Sequence, residues 1–287
     1  MLEIIQTGEG VLLKDVDDFY PVHIFECGQA FRWNWDGTGY VGIAGDRVIR
    51  VSYHEEDVLL ENASIEDYRS FWRRYFDMDR DYGQVKAALS CDPVLEKAME
   101  YGWGIRILNQ DPWETLISFI ISANNNIPRI KRIIENLAVR FGRRVSWRGR
   151  EFYTFPAPVD LAGASVEELM ACGCGYRADY IKRTAEMVCS GEIRLEQITG
   201  LPYQEAYKAL MACPGVGPKV ADCVLLFSMG KTEAFPVDVW IKKVIQRFYP
   251  ESTGTNREVK EFVWRKFGHL AGFAQQYLFY YARECMT

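Results

Sequence analysis

The sequence has no long apolar run and no leader-like beginning. None of its windows approaches the roughly 18 consecutive apolar residues of a membrane span. Its first residues, MLEIIQTGEG, lack the basic and then apolar segments of a signal peptide. We therefore expect a cytoplasmic protein that does not enter membranes. With 48% hydrophobic and 14% aromatic residues, the chain can build a sizeable core.

Paired cysteine motifs are also missing, although the chain has eight cysteines. A disulfide framework is typical of short exported chains, whereas this chain has 287 residues and no export signal. No two cysteine pairs form the CxxC…CxxC arrangement of a zinc site. Cys285 is the one cysteine after Asp238, which excludes a four-cysteine iron–sulfur cluster in that region. We expect no required cofactor and no metal bound by side chains.

An overall excess of basic residues, which is common in nucleic-acid-binding proteins, is absent because the net charge is −5. The charge is unevenly distributed, however. Residues 1–100 carry ten basic and twenty acidic side chains, whereas residues 101–150 carry nine basic and three acidic ones. A local basic stretch can bind phosphate groups even in an acidic protein, and it can equally be a solvated surface. Charge alone leaves both interpretations open.

Residues 1–105 have the pattern of a small sheet. Short aromatic and β-branched runs flank the turn pairs Asp36-Gly37 and Gly45-Asp46, which predicts an antiparallel meander. Ser64, with Asp67 three residues later, predicts a helix start with a variant capping box. We predict an N-terminal antiparallel β domain that also contains helices.

Residues 106–287 have helical spacing almost throughout. Pro112 marks one helix start, and the segment IPRIKRIIENLAVRFG is an amphipathic helix that stops at Gly142. Three consecutive asparagines at 124–126 do not extend a helix comfortably, so they mark a helix end or a turn. The whole pattern predicts an α+β fold, in which a mainly α-helical domain follows the β domain.

The most informative segment covers about residues 203–230, where Pro214-Gly215-Val216-Gly217 joins two predicted helices. Glycines let backbone N–H groups approach a phosphate, and the second helix presents its positive N-terminus to the same place. Lys219 begins that helix, and Asp238 lies nineteen residues later at the start of another. A helix N-terminus favours the neutral amine that a nucleophile needs, and a carboxylate can stabilise an oxocarbenium ion. A surface lysine and a capping aspartate would give the same spacing.

This segment, LMACPGVGPKVAD…FPVDV, resembles the helix-hairpin-helix signature of the HhH-GPD superfamily of DNA glycosylases. Further segments are similar to those of the 8-oxoguanine DNA glycosylase family: CGQAFRW, ISFIISANNNIPRI, GCGYRADYI, PVDVW and GFAQQYLF. The resemblance spans residues 25–282. It implies a bifunctional DNA glycosylase and AP lyase of base excision repair that excises 8-oxoguanine and ring-opened purines opposite cytosine. The implied fold has an N-terminal antiparallel β domain and a helical HhH-GPD domain.

The resemblance assigns the chemistry to Lys219 and Asp238. Lys219 aligns with the family's catalytic lysine, which would attack C1′ of the damaged nucleotide, expel the base and leave a Schiff base. A β-elimination from that intermediate would give the second, lyase activity. Asp238 matches the acid of the superfamily, which would stabilise positive charge on the sugar and cap its own helix.

The resemblance also implies a pocket for the damaged base. Gly28 matches the glycine whose carbonyl accepts the N7–H that oxidised guanine has and guanine lacks. Gln275 matches the residue that reads the pairing edge, and Phe279, four residues later, the ring that stacks on the base. Cys223 matches the cysteine on the opposite face, and Phe227 replaces a common methionine of the pocket wall.

A third set of residues faces the partner strand in the family. By this resemblance Asn124 would fill the gap that the flipped base leaves, Arg129 and Arg177 would hold the orphaned cytosine, and Tyr176 would wedge beside that cytosine. Two guanidinium groups can donate to O2 and N3 of cytosine, and an asparagine carbonyl can accept from N4. Pro128, just before Arg129, departs from the family pattern.

The remaining implied contacts are with the DNA backbone, and their residues are Gly215, Gly217, Val220 and Trp240. At Trp240 animal members usually have histidine. A structural cation could lie on backbone carbonyls of the hairpin at Met211, Cys213 and Val216.

The expected partner is double-stranded DNA containing oxidised guanine, bound by a monomer. The chain has no long basic tail, so it resembles bacterial rather than nuclear members, which implies a nucleoid-associated prokaryotic enzyme. Two alternatives stay open. One is another HhH-GPD glycosylase, for alkyl-adenine or thymine glycol, and the other is a non-catalytic helix-hairpin-helix DNA-binding module. Lys219 disfavours the alkyl-adenine enzyme, and the missing cysteine cluster disfavours the usual thymine-glycol enzyme.

Overall fold

The computed structural model describes residues 2–252 and 254–285. The N-terminal part contains an antiparallel six-stranded sheet in the order β1-β2-β6-β5-β4-β3. The strands are β1 (Glu3–Gln6), β2 (Gly10–Lys14), β3 (Trp33–Trp35), β4 (Tyr40–Ala44), β5 (Arg47–His54) and β6 (Asp57–Glu61). In the first hairpin Glu3 pairs with Lys14, and Gln6 pairs with Val11.

The turns of this sheet lie where the sequence predicts them. The Asp36-Gly37 pair joins β3 to β4, and the Asp36 carboxylate accepts hydrogen bonds from the backbone N–H groups of Thr38 and Gly39 at 3.1 and 3.0 Å. The Gly45-Asp46 pair joins β4 to β5. These hydrogen bonds join residues two and three positions apart and favour the turn over an extended chain. The turn is therefore specified by residues close together in the sequence.

The helices follow and also connect the strands. Their bounds are α1 (Pro21–Glu26), α2 (Ile65–Asp67), α3 (Arg73–Tyr75), α4 (Tyr82–Leu89), α5 (Pro93–Tyr101), α6 (Pro112–Ser122), α7 (Ile127–Phe141), α8 (Pro158–Gly163), α9 (Val166–Ala171), α10 (Arg177–Ser190), α11 (Leu195–Gly200), α12 (Tyr203–Leu210), α13 (Pro218–Ser228), α14 (Val239–Phe248), α15 (Asn256–Phe267) and α16 (Ala271–Cys285). In the part of the chain that the structure describes, no helix combines the length and apolar composition needed to cross a bilayer.

The predicted helix start at Ser64 is confirmed. The Ser64 hydroxyl accepts from the Asp67 N–H, and the Asp67 carboxylate accepts from the Ser64 N–H, which completes a capping box. The α-helix is not continuous, because a π-helical turn at Tyr68–Trp72 separates α2 from α3. Tyr68 and Trp72 are both fully buried there. The periodicity of the sequence does not reveal such a local expansion.

The prediction of helices almost throughout residues 106–287 is wrong at one place. β7 (Arg144–Trp147) and β8 (Arg150–Tyr153) form a separate two-stranded sheet. Arg148 and Gly149 join them with positive φ angles of 51° and 73°, as a two-residue hairpin turn requires. Each strand has four residues, which is too short for its alternation to stand out among the arginines.

The chain divides into two compact units, and neither is continuous in sequence. Unit 1 comprises Met1–Ala30, Val51–Asn109 and Gly230–Thr287, and unit 2 comprises Phe31–Arg50 and Gln110–Met229. The core of unit 1 includes inward-facing residues of β2 and β6, whereas in unit 2 residues of β4 and β5 pack against the β7–β8 hairpin. The linear boundary at residues 105–106 stays a prediction.

His23 is a buried titratable group in unit 1. Its Nδ1 accepts a hydrogen bond of 3.2 Å from the Gly104 N–H, and the rings of Tyr20, Trp103 and Tyr280 surround it. Burial lowers the pKa of His23 to about 4, because the imidazolium would lose its hydration. The neutral ring is also the form that can accept from Gly104.

We expect His23 to destabilise the fold in mild acid. The unfolded histidine binds a proton near pH 6.5 and the folded one near pH 4, so its stabilisation is complete above pH 6.5 and is lost as the pH falls through this window. As the pH falls from 7 to 5, protonation of His23 in the unfolded chain should lower the free energy of unfolding by about 2 kcal/mol. Urea titrations of the wild type and of His23→Gln, which keeps an acceptor but does not titrate, measure the difference. A parallel pH profile of the two proteins would contradict it.

Candidate active site

The hairpin between α12 and α13 is the first structural feature of the site. Val216 N–H donates to the Cys213 carbonyl at 3.1 Å, which closes the turn. Gly215 has a φ of +79°, and a Cβ placed there would lie 2.8 Å from Cδ2 of Tyr180. Backbone conformation and the close Tyr180 ring therefore both require glycine at this position.

The start of α13 is open for an anion. Gly217 is the N-cap and Pro218 the first helical residue, and no side chain caps the helix. The N–H groups of Lys219 and Val220 in this first turn point out of the helix end, where the macrodipole is positive. Val220 itself is buried, so it fixes the helix end against the core. Such an end is suited to a phosphate group.

Lys219 follows Pro218 and is half-buried. Its Nζ lies 3.3 Å from the Ser122 hydroxyl and 4.9 Å from the centroid of the Phe119 ring. Both partners belong to α6, three residues apart, so they share one helix face. The amine is thus held by one hydrogen bond and one ring face.

Cys223 and Phe227 follow Lys219 at successive intervals of four residues and lie on the same face of α13. Both are buried. The Phe227 ring stacks on Phe119, with centroids 5.6 Å apart and an interplanar angle of 24°. Phe119 therefore contacts both the predicted nucleophile and the predicted pocket wall.

Two buried thiols, Cys213 of the hairpin and Cys174, which precedes α10, are unreactive. Burial raises the pKa of Cys213 to about 11 and that of Cys174, beside α10, to about 12. Both thiols are therefore protonated at neutral pH, and neither competes with an amine as a nucleophile.

Three residues of the partner-strand set, Asn124, Tyr176 and Arg177, are in contact in unit 2. Arg177, only 3% exposed, donates from Nε and Nη2 to the carbonyl of Ala123, and from Nη2 at 3.1 Å to that of Asn124. The Arg177 guanidinium carbon lies 4.4 Å from the centroid of the Tyr176 ring, and Tyr176 is 59% exposed. Asn124 is exposed, with a φ of +49° that asparagine tolerates better than most residues.

Arg129 completes this set from the first turn of α7. Asn126 caps that helix by accepting from the Arg129 N–H at 3.0 Å. The Arg129 side chain is exposed. One predicted arginine is therefore fixed against backbone carbonyls, and the other extends into solvent.

Unit 1 contains the predicted acid, Asp238. It is the N-cap of α14, and its Oδ1 accepts from the Ile241 N–H at 2.8 Å. Trp240, in the first turn of the same helix, is half-buried, and the Lys243 amine lies 4.3 Å from its ring centroid. The capping role that the sequence predicts for Asp238 is confirmed.

Three predicted pocket residues also meet in unit 1. Gly28 has a φ of +77°, and a Cβ there would lie 3.0 Å from Cε1 of Phe279. The Phe279 ring is half-buried, and Gln275 lies one turn earlier on α16 with 3% of its surface exposed. Oε1 of Gln275 is buried and has no hydrogen-bond partner among the described residues. A buried amide oxygen without a donor costs about 1–3 kcal/mol, which a ligand donor would recover.

Several residues near these groups were not predicted. Phe119 and Ser122 contact Lys219, and Tyr180 fits against Gly215. Tyr176 and Tyr180 are four residues apart with ring centroids at 6.2 Å, so the spacing of two tyrosines was a usable signal. Phe119 lies in an apolar run in which the sequence gives no preference to one ring.

No cluster of three or more histidine, cysteine, aspartate or glutamate side chains in residues 2–252 and 254–285 could hold a metal ion. In the hairpin the Cys213 carbonyl already accepts from Val216. The cation expected on the carbonyls of Met211, Cys213 and Val216 stays a prediction.

Two family models match the chain. Residues 11–116 match the 8-oxoguanine DNA glycosylase N-terminal domain, and residues 117–269 match the HhH-GPD superfamily base excision DNA repair protein. A curated relative from Saccharomyces cerevisiae, an N-glycosylase/DNA lyase, is 30% identical over 94% of this chain and 85% of its own.

Two solved structures are similar over the full length. A structure of MBOgg1 in complex with a low-affinity DNA ligand is 46% identical, covers 100% of both chains and has a TM-score of 0.97. The Clostridium acetobutylicum 8-oxoguanine glycosylase/lyase, in complex with double-stranded DNA containing cytosine opposite 8-oxoguanine, is 43% identical. It covers 100% of this chain and 99% of its own, with a TM-score of 0.96. The chain belongs to the 8-oxoguanine DNA glycosylase family, a family of N-glycosylases and DNA lyases within the HhH-GPD superfamily.

Proposed function

We propose that this enzyme excises 8-oxoguanine from duplex DNA opposite cytosine and then cleaves the strand at the abasic site. The main support for guanine as the recognised base is the buried Oε1 of Gln275, which has no hydrogen-bond partner among the described residues. The pairing edge of guanine offers N1–H and N2–H donors and an O6 acceptor. A glutamine amide has one acceptor and two donors, so it matches this edge with its oxygen toward the donors.

The Gly28 carbonyl would discriminate between oxidised and normal guanine. Oxidation at C8 places a proton on N7, and the Gly28 carbonyl would accept that proton. Normal guanine presents a lone pair at N7, which would repel the carbonyl. The Phe279 ring, 3.0 Å from where a Cβ on Gly28 would lie, is available for stacking on the same base. Since a base inside the duplex cannot reach such groups, the nucleotide must flip out.

The bond changes then involve Lys219 and Asp238. The neutral amine of Lys219 attacks C1′, the C1′–N9 bond breaks, and the base leaves with the bonding electrons and takes up a proton. The Asp238 carboxylate stabilises the positive charge that develops on the sugar. Opening of the sugar gives a Schiff base with Lys219. Loss of a C2′ proton and departure of the 3′ phosphate complete the β-elimination.

A borohydride trap tests the function directly. The enzyme is mixed with duplexes that contain 8-oxoguanine, 3-methyladenine, thymine glycol or guanine, and borohydride reduces any Schiff base to a covalent link. We expect trapping with 8-oxoguanine alone, and trapping with another lesion would favour another HhH-GPD glycosylase. No trapping with any duplex, together with DNA binding, would favour a non-catalytic module.

We expect excision opposite adenine to be slower than opposite cytosine by about ten- to a hundredfold. Arg129 and Arg177 supply donors for O2 and N3 of cytosine, whereas adenine presents N1 as an acceptor and N6 as a donor. At least one charged donor would then lack a partner. Single-turnover excision on four duplexes that differ in the opposite base measures the ratio.

Arg129→Ala should narrow this cytosine-to-adenine ratio more than it slows excision opposite cytosine. Arg132→Ala is the matched control, because Arg132 is also exposed on α7 three residues away. The control should slow all four duplexes alike. Equal wild-type rates opposite cytosine and adenine would show that the arginines do not read the partner base. Pro128, which departs from the family pattern just before Arg129, would then be the first residue to test as the cause.

The remaining proposals concern the setting of the reaction. Phosphates of the DNA would lie at the start of α13, near Gly215, Gly217 and Val220, and beside Trp240. The enzyme would act as a monomer in the prokaryotic nucleoid and need no cofactor, with a structural cation on the hairpin carbonyls at most. The affinity for duplex DNA at one fixed salt concentration, compared between the wild type and Trp240→Ala, would reveal a lost phosphate contact.

A further inference from the structure

The backbone around Gly28 is anchored on both sides by buried side chains. Gln29 is fully buried, and its Nε2 donates to the carbonyls of Ile24 and Arg106 at 2.9 and 2.8 Å, while its Oε1 accepts from the Leu108 N–H at 2.9 Å. The chain immediately after Gly28 is therefore anchored to the segment at 106–108.

The chain immediately before Gly28 is anchored to α16. Gln276, which is buried, donates from Nε2 to the Cys27 carbonyl at 2.7 Å. Arg283 donates from Nη2 to the Glu26 carbonyl. The two donors are seven residues apart, so they lie on one face of the helix that also carries Gln275 and Phe279.

The Gly28 carbonyl differs from the carbonyls of Glu26 and Cys27 in its hydrogen bonding. The carbonyls at 26 and 27 each accept from an α16 side chain, whereas the carbonyl of Gly28 accepts no hydrogen bond from residues 2–252 and 254–285. Arg283 also touches the pocket, because its Nη1 lies 3.8 Å from the position of a Cβ on Gly28 and its guanidinium lies 5.7 Å from the Phe279 ring centroid.

From these contacts we propose that Gln276 and Arg283 are positioning residues that hold the Gly28 carbonyl at the place where it meets the N7–H of the oxidised base. The inference rests on the proposed function of Gly28. Both donors occupy the neighbouring carbonyls, so the peptide planes at 26 and 27 are fixed and rotation at Gly28 is restricted. A misplaced carbonyl would weaken the reading of N7 without touching Lys219.

The test uses two substrates in parallel. A duplex with 8-oxoguanine opposite cytosine requires both the reading of the base and the reaction of Lys219, whereas a duplex with an abasic site requires the reaction alone. Gln276→Met keeps the side-chain length, Arg283→Met keeps an unbranched apolar stem, and both remove the donors. We expect single-turnover excision to slow about tenfold or more in each, while cleavage and borohydride trapping of the abasic duplex stay within twofold of the wild type.

Two further variants serve as rescue and control. Arg283→Lys keeps a charged donor for the Glu26 carbonyl and should recover most of the excision rate. Arg265→Met removes an exposed arginine of α15 and should change neither activity. With Lys219→Gln as background, Gln276→Met should also lower the ratio of affinities for 8-oxoguanine and guanine duplexes.

The outcomes separate cleanly. Selective loss of excision, with rescue by Arg283→Lys, supports the inference. Unchanged excision in both methionine variants overturns it, and so does an equal loss on both substrates, because the side chains would then only maintain the fold. A wild-type enzyme that cleaves abasic DNA without excising 8-oxoguanine overturns the proposed function and this inference with it.

Discussion

Lys219→Gln is expected to abolish base excision and borohydride trapping while the protein still binds damaged DNA. Glutamine has a similar length and can keep the hydrogen bond to Ser122, which Lys219 makes at 3.3 Å. Its amide nitrogen cannot attack C1′ because the lone pair is delocalised. The single-turnover rate should fall by about ten-thousandfold or more.

Lys208→Gln is the matched control for this change. Lys208 is an exposed lysine on α12, the first helix of the same hairpin. Its replacement should leave both activities near the wild-type rate. Retained trapping in Lys219→Gln would mean that another amine forms the Schiff base, and peptide mapping of the trapped complex would identify it.

Asp238→Asn should lower turnover by about a hundred- to a thousandfold, and DNA affinity by less than about threefold. In the proposed mechanism the carboxylate acts on a sugar cation that exists only along the reaction path, so removal of its charge should affect the transition state most. The asparagine oxygen can still accept from the Ile241 N–H, as Asp238 does at 2.8 Å. Asparagine caps helices about as well as aspartate, so the free energy of unfolding should change little.

Single-turnover rates, equilibrium binding and urea unfolding together check this expectation. Asp81→Asn provides the comparison, because Asp81 caps α4 in the same way by accepting from the Gln84 N–H at 3.0 Å. That variant should alter neither rate nor affinity. If Asp238→Asn weakened binding as much as turnover, the residue would act through the structure of α14 instead.

The sequence predicts the main elements of the site because they rest on local rules. Pro218 after Gly217 marks a helix start, which puts Lys219 in its first turn, and Asp238 has the residue type of an N-cap. Helix starts depend on residues within a few positions. The motif therefore translates directly into where the amine and the carboxylate lie on their own helices.

Contacts between distant segments do not follow from local rules. Ser122 is 97 positions from Lys219, and Gln276 is 249 from Cys27. Periodicity tells which face of a helix is buried but not which residue lies opposite. The β7–β8 hairpin was missed for a related reason, since four-residue strands gain their stability from packing on Val41, Ile43 and Val48 in another part of the chain.

Arg177 illustrates a different limit. From the sequence alone, an arginine is predicted to be a charged side chain exposed to water. Its burial depends on the end of α6, where Ala123 is the C-cap and the last carbonyls have no helical partners. A guanidinium satisfies these carbonyls and interacts favourably with the negative end of the helix. The side chain is thus part of the local structure before any base is present.

This arrangement has an entropic consequence for the recognition of a partner base. A free arginine loses about 2 kcal/mol of rotamer entropy when it is fixed on a ligand. Arg177 has already lost that freedom on folding, because Nε and Nη2 are bound to the loop carbonyls and the Tyr176 ring covers its plane. Arg129 is exposed on its helix and would lose this freedom only on holding the partner base as proposed. The entropic cost of fixing a side chain grows with temperature. Cooling would therefore increase the contribution of Arg129 to the binding free energy and leave the contribution of Arg177 nearly constant.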